Sequence, residues 1–335
     1  MKTAVALLGA TGPVGQKIVA MLEGHADFYL AEIASSSKNI GKKYGEVVHW
    51  REVRPLSVEV QELRMKSAED ISSSYVLSAL PSEVAKELEP KLAARGLHVF
   101  SNASAMRMDE RVPLLIPEIN RPALAITKSQ TTPGKIITNP NCTTVFFVSA
   151  IAPLIEQGVG AGVEYISLTT MQAISGAGYP GVSALDIFGN VVPHIEQEEK
   201  KICAESNKIL STSGLAHTKN IQLKISANVN RVPVINGHTL VIHLYFNRPA
   251  SVEEVRAAYD EWQRRYPQLF AFYQEPDRPR PLYDLTPYDQ KIHIGKIRQG
   301  ASDRIITLVA MGHNLVRGAA GAAILNLEAG YRHLC

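Results

Sequence analysis

The chain has 335 residues, 45% apolar and 20% charged, with a net charge of +3; this length fits two domains, and the mixed charges lack the basic block of nucleic-acid-binding or membrane-binding proteins. No stretch reaches the roughly 18 consecutive apolar residues of a transmembrane helix, and the N-terminal apolar run leads into a glycine loop rather than a signal-peptide cleavage site. The cysteines Cys142, Cys203 and Cys335 are widely spaced, which argues against a disulfide framework or a metal site and indicates a reducing, cytoplasmic compartment.

The first predicted element is a buried parallel strand over residues 3–8, followed by a glycine-rich turn and an amphipathic helix over 16–22. Gly9 permits the tight turn, Gly12 lets the backbone approach a diphosphate, and Gly15 lets the helix pack closely on the strand. This order of strand, turn and helix predicts a dinucleotide-binding loop. Its predicted cofactor contacts are Gly9, Thr11, Gly12, Pro13, Val14 and Gly15.

The second strand is predicted over residues 29–34, and the residues at its end indicate which cofactor binds. An NAD site usually has an acidic residue there, which binds the ribose 2′-hydroxyl. Here hydroxyls and a cation follow the strand, and they suit the 2′-phosphate of NADP. These predicted contacts are Ser35, Ser36, Ser37 and Lys38. Glu32 is the alternative, as the acid of an NAD site, if the strand ends earlier.

Further strands are predicted over residues 75–80, 98–100 and 136–138, with a helix from Pro81 towards Ala94. Strands that alternate with helices predict an α/β domain, a Rossmann-type doubly wound parallel sheet. Its ligands are expected at the carboxyl ends of the strands.

A turn over residues 139–144 precedes the apolar run 145–151, which reads as a helix. Thr143 or Thr144 is the predicted cap, so Cys142 lies where a loop enters a helix. The free N–H groups and partial positive charge of a helix N-terminus favour the thiolate, which is the nucleophilic form of cysteine. We therefore interpret Cys142 as a candidate nucleophile.

The pattern changes after this turn, with longer strands predicted over residues 163–171, 222–229 and 239–247. The last of these alternates apolar and polar side chains, as in a sheet with one solvated face, and Ser251 is predicted to cap a helix. We expect a second, α+β domain with a mostly antiparallel sheet. A small-residue helix over 314–323 is assigned to the first domain. The predicted division is 1–138 plus 313–335 and 139–312.

Three polar stretches in the second domain are candidates for chemistry: residues 172–178, 196–208 and 231–238. Taken singly, they are typical of a glycine-rich loop, a solvated helix and a bend with a hydrogen-bonded histidine. Arg231 alone could simply brace the bend at Pro233 through backbone carbonyls.

Taken together, the motifs resemble the aspartate-β-semialdehyde dehydrogenase family, most closely its archaeal and fungal branch. The resemblance covers essentially the whole chain and rests on the glycine loop 9–15, the turn 139–144, and residues 172–178, 231–238 and 314–319. The related N-acetyl-glutamyl-phosphate reductases usually have Gly and Cys-Tyr where this chain has Asn141 and Cys142-Thr143.

The resemblance implies the reversible reduction of L-aspartyl 4-phosphate to L-aspartate 4-semialdehyde and phosphate with NADPH, in lysine, threonine and methionine biosynthesis. Cys142 matches the nucleophile that forms a thioester, His238 the general acid and base, and Gln172 the residue that orients the intermediate. Arg231 matches the cation that grips the substrate carboxylate. Glu199 matches the acid that faces the substrate ammonium, with Glu198 as a one-residue alternative.

The resemblance also implies a phosphate site and further contacts with the cofactor. The phosphate-site residues are Arg107 and Lys201, with Asn141 close by, and the further cofactor contacts are Ser175, Gly176 and Asn314. The family further implies a homodimer or homotetramer, with small-molecule substrates and neither nucleic acid nor membrane as a partner.

Two alternative functions are kept open at this point. One is a malonyl-CoA reductase, or another acyl-thioester or acyl-phosphate reductase on the same scaffold. An acid such as Glu199 that faces a substrate ammonium would be useful for aspartyl phosphate and useless for malonyl-CoA. The other is a non-catalytic NADP-binding regulatory protein. This alternative predicts that the nucleophile or the base is replaced, whereas Cys142 and His238 are both present.

Overall fold

The computed structural model describes residues 1–215 and 222–334. Its strands are β1 Thr3–Leu8, β2 Phe28–Ala34, β3 Met65–Lys66, β4 Tyr75–Ser78, β5 His98–Ser101, β6 Ile136–Thr138, β7 Val163–Gln172, β8 Ile225–Arg231, β9 His238–Phe246, β10 Phe270–Phe272, β11 Ile292–Gln299 and β12 Ile305–Gly312. Its α-helices are α1 Pro13–Leu22, α2 Tyr44–Val47, α3 Val58–Gln61, α4 Ser82–Ala94, α5 Pro117–Asn120, α6 Cys142–Glu156, α7 Ala184–Ile187, α8 Glu198–Ser211, α9 Val252–Arg265, α10 Pro281–Asp284 and α11 Gly321–Leu334.

The chain separates into two compact units. The first unit comprises Met1–Pro117, Ala123–Pro140 and Ala319–Cys335, and the second comprises Glu118–Pro122 and Asn141–Gly318. The main junctions therefore follow Pro140 and Gly318, whereas the sequence patterns suggested cuts at 138/139 and 312/313.

The sheet of the first unit has the order β3-β2-β1-β4-β5-β6, and its neighbouring strands are parallel. Helix α11 packs against α1, β4, β5 and β6. Small residues permit this approach, because a Cβ added at Gly330 would lie 2.5 Å from the Phe100 ring. The predicted Rossmann-type α/β architecture is confirmed.

The C-terminal helix differs from the one predicted over 314–323. Strand β12 ends at Gly312, a π-helical turn spans Val316–Ala320, and α11 begins only at Gly321. The residues up to Gly318 group with the second unit rather than the first.

The sheet of the second unit has the order β10-β11-β12-β9-β7-β8 and is mixed. Three of its five pairings are antiparallel, and the outer pairs β10–β11 and β7–β8 are parallel. Buried and half-buried residues alternate along β9, as predicted for a sheet with one packed face. The strand predicted over 222–229 begins later, at Ile225, and ends at Arg231.

Two helices of the second unit, α9 and α6, begin at capped residues and have buried side chains. Ser251 caps α9 as predicted, because its side chain accepts hydrogen bonds from the N–H groups of Glu253 and Glu254. Helix α6 is buried from Thr143 to Ile155. Its first residue, Cys142, is thus held by a helix that has little freedom to move.

Candidate active site

Cys142 is the first residue of α6, and Asn141, not the predicted Thr143 or Thr144, caps this helix. The Asn141 Oδ1 accepts hydrogen bonds from the backbone N–H groups of both threonines, at 2.9 and 3.2 Å. The threonines lie inside the first turn, where their own N–H groups need an acceptor, so they cannot cap it. Cys142 is half-buried, and a Cβ added at Gly318 would lie 2.5 Å from its Cβ. The thiol therefore sits at a capped helix N-terminus beside a residue that has no side chain.

A buried carboxylate, that of Glu198, joins the residues around this helix start. Its two oxygens each accept from the Asn141 Nδ2 at 3.0 Å. Its Oε1 also accepts from the Thr143 Oγ1 and the Gln172 Nε2, both at 3.1 Å. Gln172 is itself buried. The predicted residue Gln172 thus lies within this cluster.

Glu199, the acid singled out from the sequence, is exposed on α8 and lies outside this hydrogen-bonded cluster. Its carboxylate accepts from the Val229 N–H at 3.4 Å. The alternative, Glu198, is the residue that meets Asn141 and Gln172. Both acids directly follow Gln197, the N-cap of α8, which takes the left-handed conformation (φ 60°).

Arg231 ends β8 with a buried guanidinium whose Nη1 donates to the Ala173 carbonyl at 2.8 Å. Burial lowers the pKa of Arg231, while the negative charges of Cys142 and Glu198 oppose that shift. The bracing contact with a backbone carbonyl, which the bend suggested, is therefore present. It leaves the rest of the guanidinium fork for other partners.

His238 begins β9 and is completely buried. Its Nδ1 accepts from the Ala173 N–H at 3.0 Å. Burial, followed by the charges of Arg231 and His313, lowers the pKa of His238 to about 3. His313 did not stand out in the sequence, because its position beside His238 depends on the pairing of β12 with β9.

The loop that contains Gly176 lies directly against the side chains of Arg231 and His238. A Cβ added there would be 2.9 Å from the Arg231 Nη1 and 3.0 Å from the His238 Cε1. Asn314 connects this loop to the residue that precedes β9, since its Nδ2 donates to the Ser175 Oγ and its Oδ1 accepts from the Gly237 N–H. The Asn314 side chain therefore has partners within the second unit, and the cofactor contacts expected from Ser175, Gly176 and Asn314 stay predictions.

The glycine loop of the first unit has the backbone that a dinucleotide site requires. Gly9 has a φ of 77°, and a Cβ added at Gly15 would overlap the Gly9 carbonyl at 2.2 Å. At Gly12 the nearest such atom is 3.6 Å away. Helix α1 begins with Pro13 and has no side-chain cap, so its start suits a diphosphate. Beyond β2, Ser36 to Lys38 are exposed.

Glu32, the alternative acid for an NAD site, lies inside β2 and has protein partners. Its carboxylate accepts from the Lys66 Nζ at 2.6 Å and from the Ser73 N–H at 2.7 Å. Although burial alone would raise the pKa of Glu32, these hydrogen bonds lower it to about 2. Its charge is therefore already balanced within the sheet.

The predicted phosphate-site cations belong to different units. Arg107 is buried in the first unit, where its Nη2 donates to the Asn102 carbonyl at 2.8 Å. Lys201 is half-buried on α8 of the second unit. Asn141, the third residue of this prediction, uses its side chain for the helix cap and for Glu198.

Two further features of the described part of the chain bear on function. None of its helices is both long and apolar enough to cross a membrane. Across residues 1–215 and 222–334, no three His, Cys, Asp or Glu side chains form a group that could hold a metal ion.

The chain matches two family models, the semialdehyde dehydrogenase NAD binding domain over residues 4–127 and the semialdehyde dehydrogenase dimerisation domain over 151–317. The aspartate-semialdehyde dehydrogenase of Archaeoglobus fulgidus is 42% identical and that of Trichophyton rubrum 36%, covering 98% and 96% of this chain and 98% and 95% of their own. The Candida albicans enzyme, solved with NADP, superposes with a TM-score of 0.84 at 34% identity over 98% of both chains. As the sequence motifs predicted, the chain belongs to the aspartate-semialdehyde dehydrogenase family.

Proposed function

We propose that this chain reduces L-aspartyl 4-phosphate to L-aspartate 4-semialdehyde and phosphate with NADPH, through a thioester on Cys142. The observation that carries the proposal is the setting of this thiol at the capped start of a buried helix, within range of electrostatic interaction with the buried guanidinium of Arg231. A helix N-terminus and a nearby cation both favour the thiolate. The names of the curated relatives support the reaction class.

In this reaction the Cys142 thiolate attacks the acyl carbon of the substrate. A bond forms between Sγ and that carbon, the bond from carbon to the phosphate oxygen breaks, and phosphate leaves with its electron pair. The nicotinamide cofactor, when bound, supplies the hydride that reduces the thioester. Hydride addition gives the oxyanion of a thiohemiacetal, whose collapse breaks the bond between carbon and Sγ, releases the aldehyde and restores the thiolate. The departing phosphate takes up the one proton that the overall reaction consumes.

Arg231 and Glu198 are the proposed recognition pair for an amino-acid substrate. Arg231 has one nitrogen bound to Ala173, which orients the remaining donors of its planar fork for a carboxylate. Glu198 replaces Glu199 in the role of facing the ammonium, because only Glu198 is buried beside Asn141 and Gln172. The hydrogen bonds that Glu198 makes within the protein are equally compatible with a malonyl-CoA reductase. The choice between aspartyl phosphate and malonyl-CoA therefore depends on the assay and not on the burial of Glu198.

NADP is the proposed cofactor, as in the Candida albicans structure, which contains NADP. The glycine loop would hold its diphosphate, and Ser35 to Lys38 would hold the 2′-phosphate. Engagement of Glu32 by Lys66 and Ser73 supports this preference, because the acid that an NAD site needs is already occupied. Arg107 of the first unit and Lys201 of the second are proposed to bind the substrate phosphate.

A homodimer, or a homotetramer built from such dimers, is the proposed assembly. The match of residues 151–317 to a dimerisation domain supports self-association. Light scattering coupled to size-exclusion chromatography tests this, and a monomer at micromolar concentration would contradict it.

The deciding experiment is an assay of purified protein by nicotinamide absorbance in two directions. L-Aspartate 4-semialdehyde, phosphate and NADP⁺ should give reduction of the cofactor that depends on phosphate. Malonyl-CoA with NADPH should give little oxidation. Faster turnover of malonyl-CoA would favour the alternative reductase, and absence of turnover with both would favour a non-catalytic NADP-binding protein.

A further inference from the structure

Glu89, a buried acid in the middle of helix α4, takes no part in the site described above. Its side chain is completely buried. Its carboxyl group meets the hydroxyl of Ser101, the last residue of β5, and that of Ser78, the last residue of β4. The two serines are opposite each other in the parallel pair β4–β5. Because a buried acid is costly unless hydrogen bonds compensate it, the partners of Glu89 indicate its role.

Three hydrogen bonds connect Glu89 to Arg107. The Ser101 Oγ donates to the Glu89 Oε1 at 2.6 Å and accepts from the Ala103 N–H at 3.1 Å. On the other side of that peptide, the Asn102 carbonyl accepts from the Arg107 Nη2 at 2.8 Å. The Ala103 N–H and the Asn102 carbonyl belong to one planar peptide group, in which they point in opposite directions. The rotation of this peptide therefore links the two ends of the connection.

Each hydrogen bond in this connection has a single possible direction. The Ala103 N–H can only donate, so the Ser101 hydroxyl accepts from it and gives its own proton to Glu89. Burial raises the pKa of Glu89, and the hydroxyls of Ser101 and Ser78 oppose that shift. Whether the acid is neutral or ionised, Oε1 can accept the Ser101 proton. Glu89 is thus the terminal acceptor of the connection.

The residues on either side of this peptide are held by separate hydrogen bonds. The N–H and the Nδ2 of Asn102 both donate to the Ser78 carbonyl, at 2.9 and 3.1 Å. The Ser104 N–H donates to the Ser82 Oγ at 3.1 Å. Loss of the Glu89 acceptor should therefore leave the loop attached to the sheet and to α4, while it frees the rotation of the peptide between these attachments.

We propose that Glu89 is a positioning residue for the phosphate site: through Ser101 it fixes the peptide between Asn102 and Ala103, whose carbonyl holds the Arg107 guanidinium in the orientation that binds the substrate phosphate. This inference rests on the proposed function for the phosphate role of Arg107. A guanidinium is planar, so a bond at one nitrogen also fixes the directions of its other N–H groups. Glu89 itself does not contact the substrate.

The first test measures Michaelis constants in the direction of semialdehyde oxidation, where inorganic phosphate is a substrate. Glu89→Leu and Ser101→Ala should each raise the KM for phosphate about tenfold, which corresponds to one hydrogen bond to a charged group, and leave the KM values for the semialdehyde and NADP⁺ within about twofold. Glu89→Gln keeps an oxygen that can accept from Ser101 and should retain the wild-type KM for phosphate. Glu87→Leu, at an exposed position of the same helix, is the matched control.

The pattern of these constants decides the role of Glu89. An unchanged KM for phosphate, or an equal rise in all three Michaelis constants, would overturn the proposal. If Glu89→Leu does not fold, Ser101→Ala decides, because it breaks the same connection by removing one oxygen. The double variant should raise the KM for phosphate no further than Ser101→Ala alone, since both changes break one connection. Additive rises would show two independent effects and would also overturn it.

The second test needs no turnover. Hydrogen–deuterium exchange of the segment that contains Ala103 should be about tenfold faster in Glu89→Leu and Ser101→Ala than in wild type, and calorimetric titration of the free protein with inorganic phosphate should show weaker binding by the same two variants. Equal phosphate binding by wild type and variants would overturn the role of Glu89. If the variants bind phosphate more weakly but the wild type does not oxidise the semialdehyde, the proposed reaction fails and the role of Glu89 stands.

Discussion

Replacing Glu198 by glutamine, and separately Glu199 by glutamine, tests the site with two adjacent side chains of the same type. Glu198 is buried and accepts from three side chains, those of Asn141, Thr143 and Gln172. Glu199 is exposed and has one long contact with a backbone N–H. The two changes are chemically identical, so a difference between them reports the surroundings alone.

The size of the effect follows from the hydrogen bonds of Glu198. Whichever way a glutamine amide is turned, its NH₂ replaces an oxygen that accepts from Asn141, so two donors face each other at about 3 Å. One buried donor without an acceptor costs about 1–3 kcal/mol. Because Asn141 caps the Cys142 helix, we expect this loss in stability and also a loss of roughly ten- to a hundredfold in kcat/KM.

The assay is urea unfolding together with steady-state kinetics in the direction of semialdehyde oxidation. The exposed Glu199→Gln variant should stay within about 0.5 kcal/mol of wild type in unfolding free energy, with kcat/KM nearly unchanged. Equal losses in the two variants, or a larger loss at Glu199, would refute the assignment of Glu198 to the site.

Cys142→Ser should abolish turnover while NADPH still binds in a fluorescence titration; turnover above a few per cent would remove Cys142 as the nucleophile. NADP should be preferred over NAD at least tenfold in kcat/KM, which requires about 1.4 kcal/mol, and equal values would defeat the role of Ser35 to Lys38. Arg231→Lys keeps the charge but loses the planar fork, so kcat/KM should fall roughly ten- to a hundredfold; a lower Tm with intact kinetics would leave only its bracing contact with Ala173. Because the pKa of His238 is lowered on folding, the unfolded chain takes up a proton at this residue below about pH 6.5, whereas the folded chain does not. The free energy of unfolding should therefore decrease from about pH 6.5 towards pH 3. A His238→Gln variant that shows the same decrease in urea unfolding would contradict this explanation.

Features that depend on short-range pattern could be predicted from the sequence. The alternation along β9, the Ser251 cap of α9 and the glycine loop before α1 each depend on residues within one turn or one strand. The physical constraint in each case is local, being side-chain alternation, an unpaired N–H or a positive φ.

Features that depend on long-range pairing could not be predicted in the same way. His313 lies near His238 only because Gly312 pairs with that residue across β9 and β12, and strand register is not visible in either segment alone. The choice of Asn141 as the helix cap has a similar origin. Its amide must also satisfy Glu198, which is 57 residues away in the chain, and a threonine hydroxyl could not bond to both oxygens of that carboxylate.

Glu198 and Glu199 are neighbours at the start of one helix, yet the first is buried and the second is exposed. Successive residues of an α-helix point about 100° apart, so Glu198 and Glu199 cannot both face the cluster that contains Asn141 and Gln172. Helix α8 begins where it does because Gln197 adopts a left-handed conformation (φ 60°), which is uncommon for a residue with a long side chain. Such a conformation persists only where the surrounding structure favours it. Here the carboxylate of the next residue, Glu198, receives four hydrogen bonds at 3.0–3.1 Å, and these hydrogen bonds offset the local strain at Gln197.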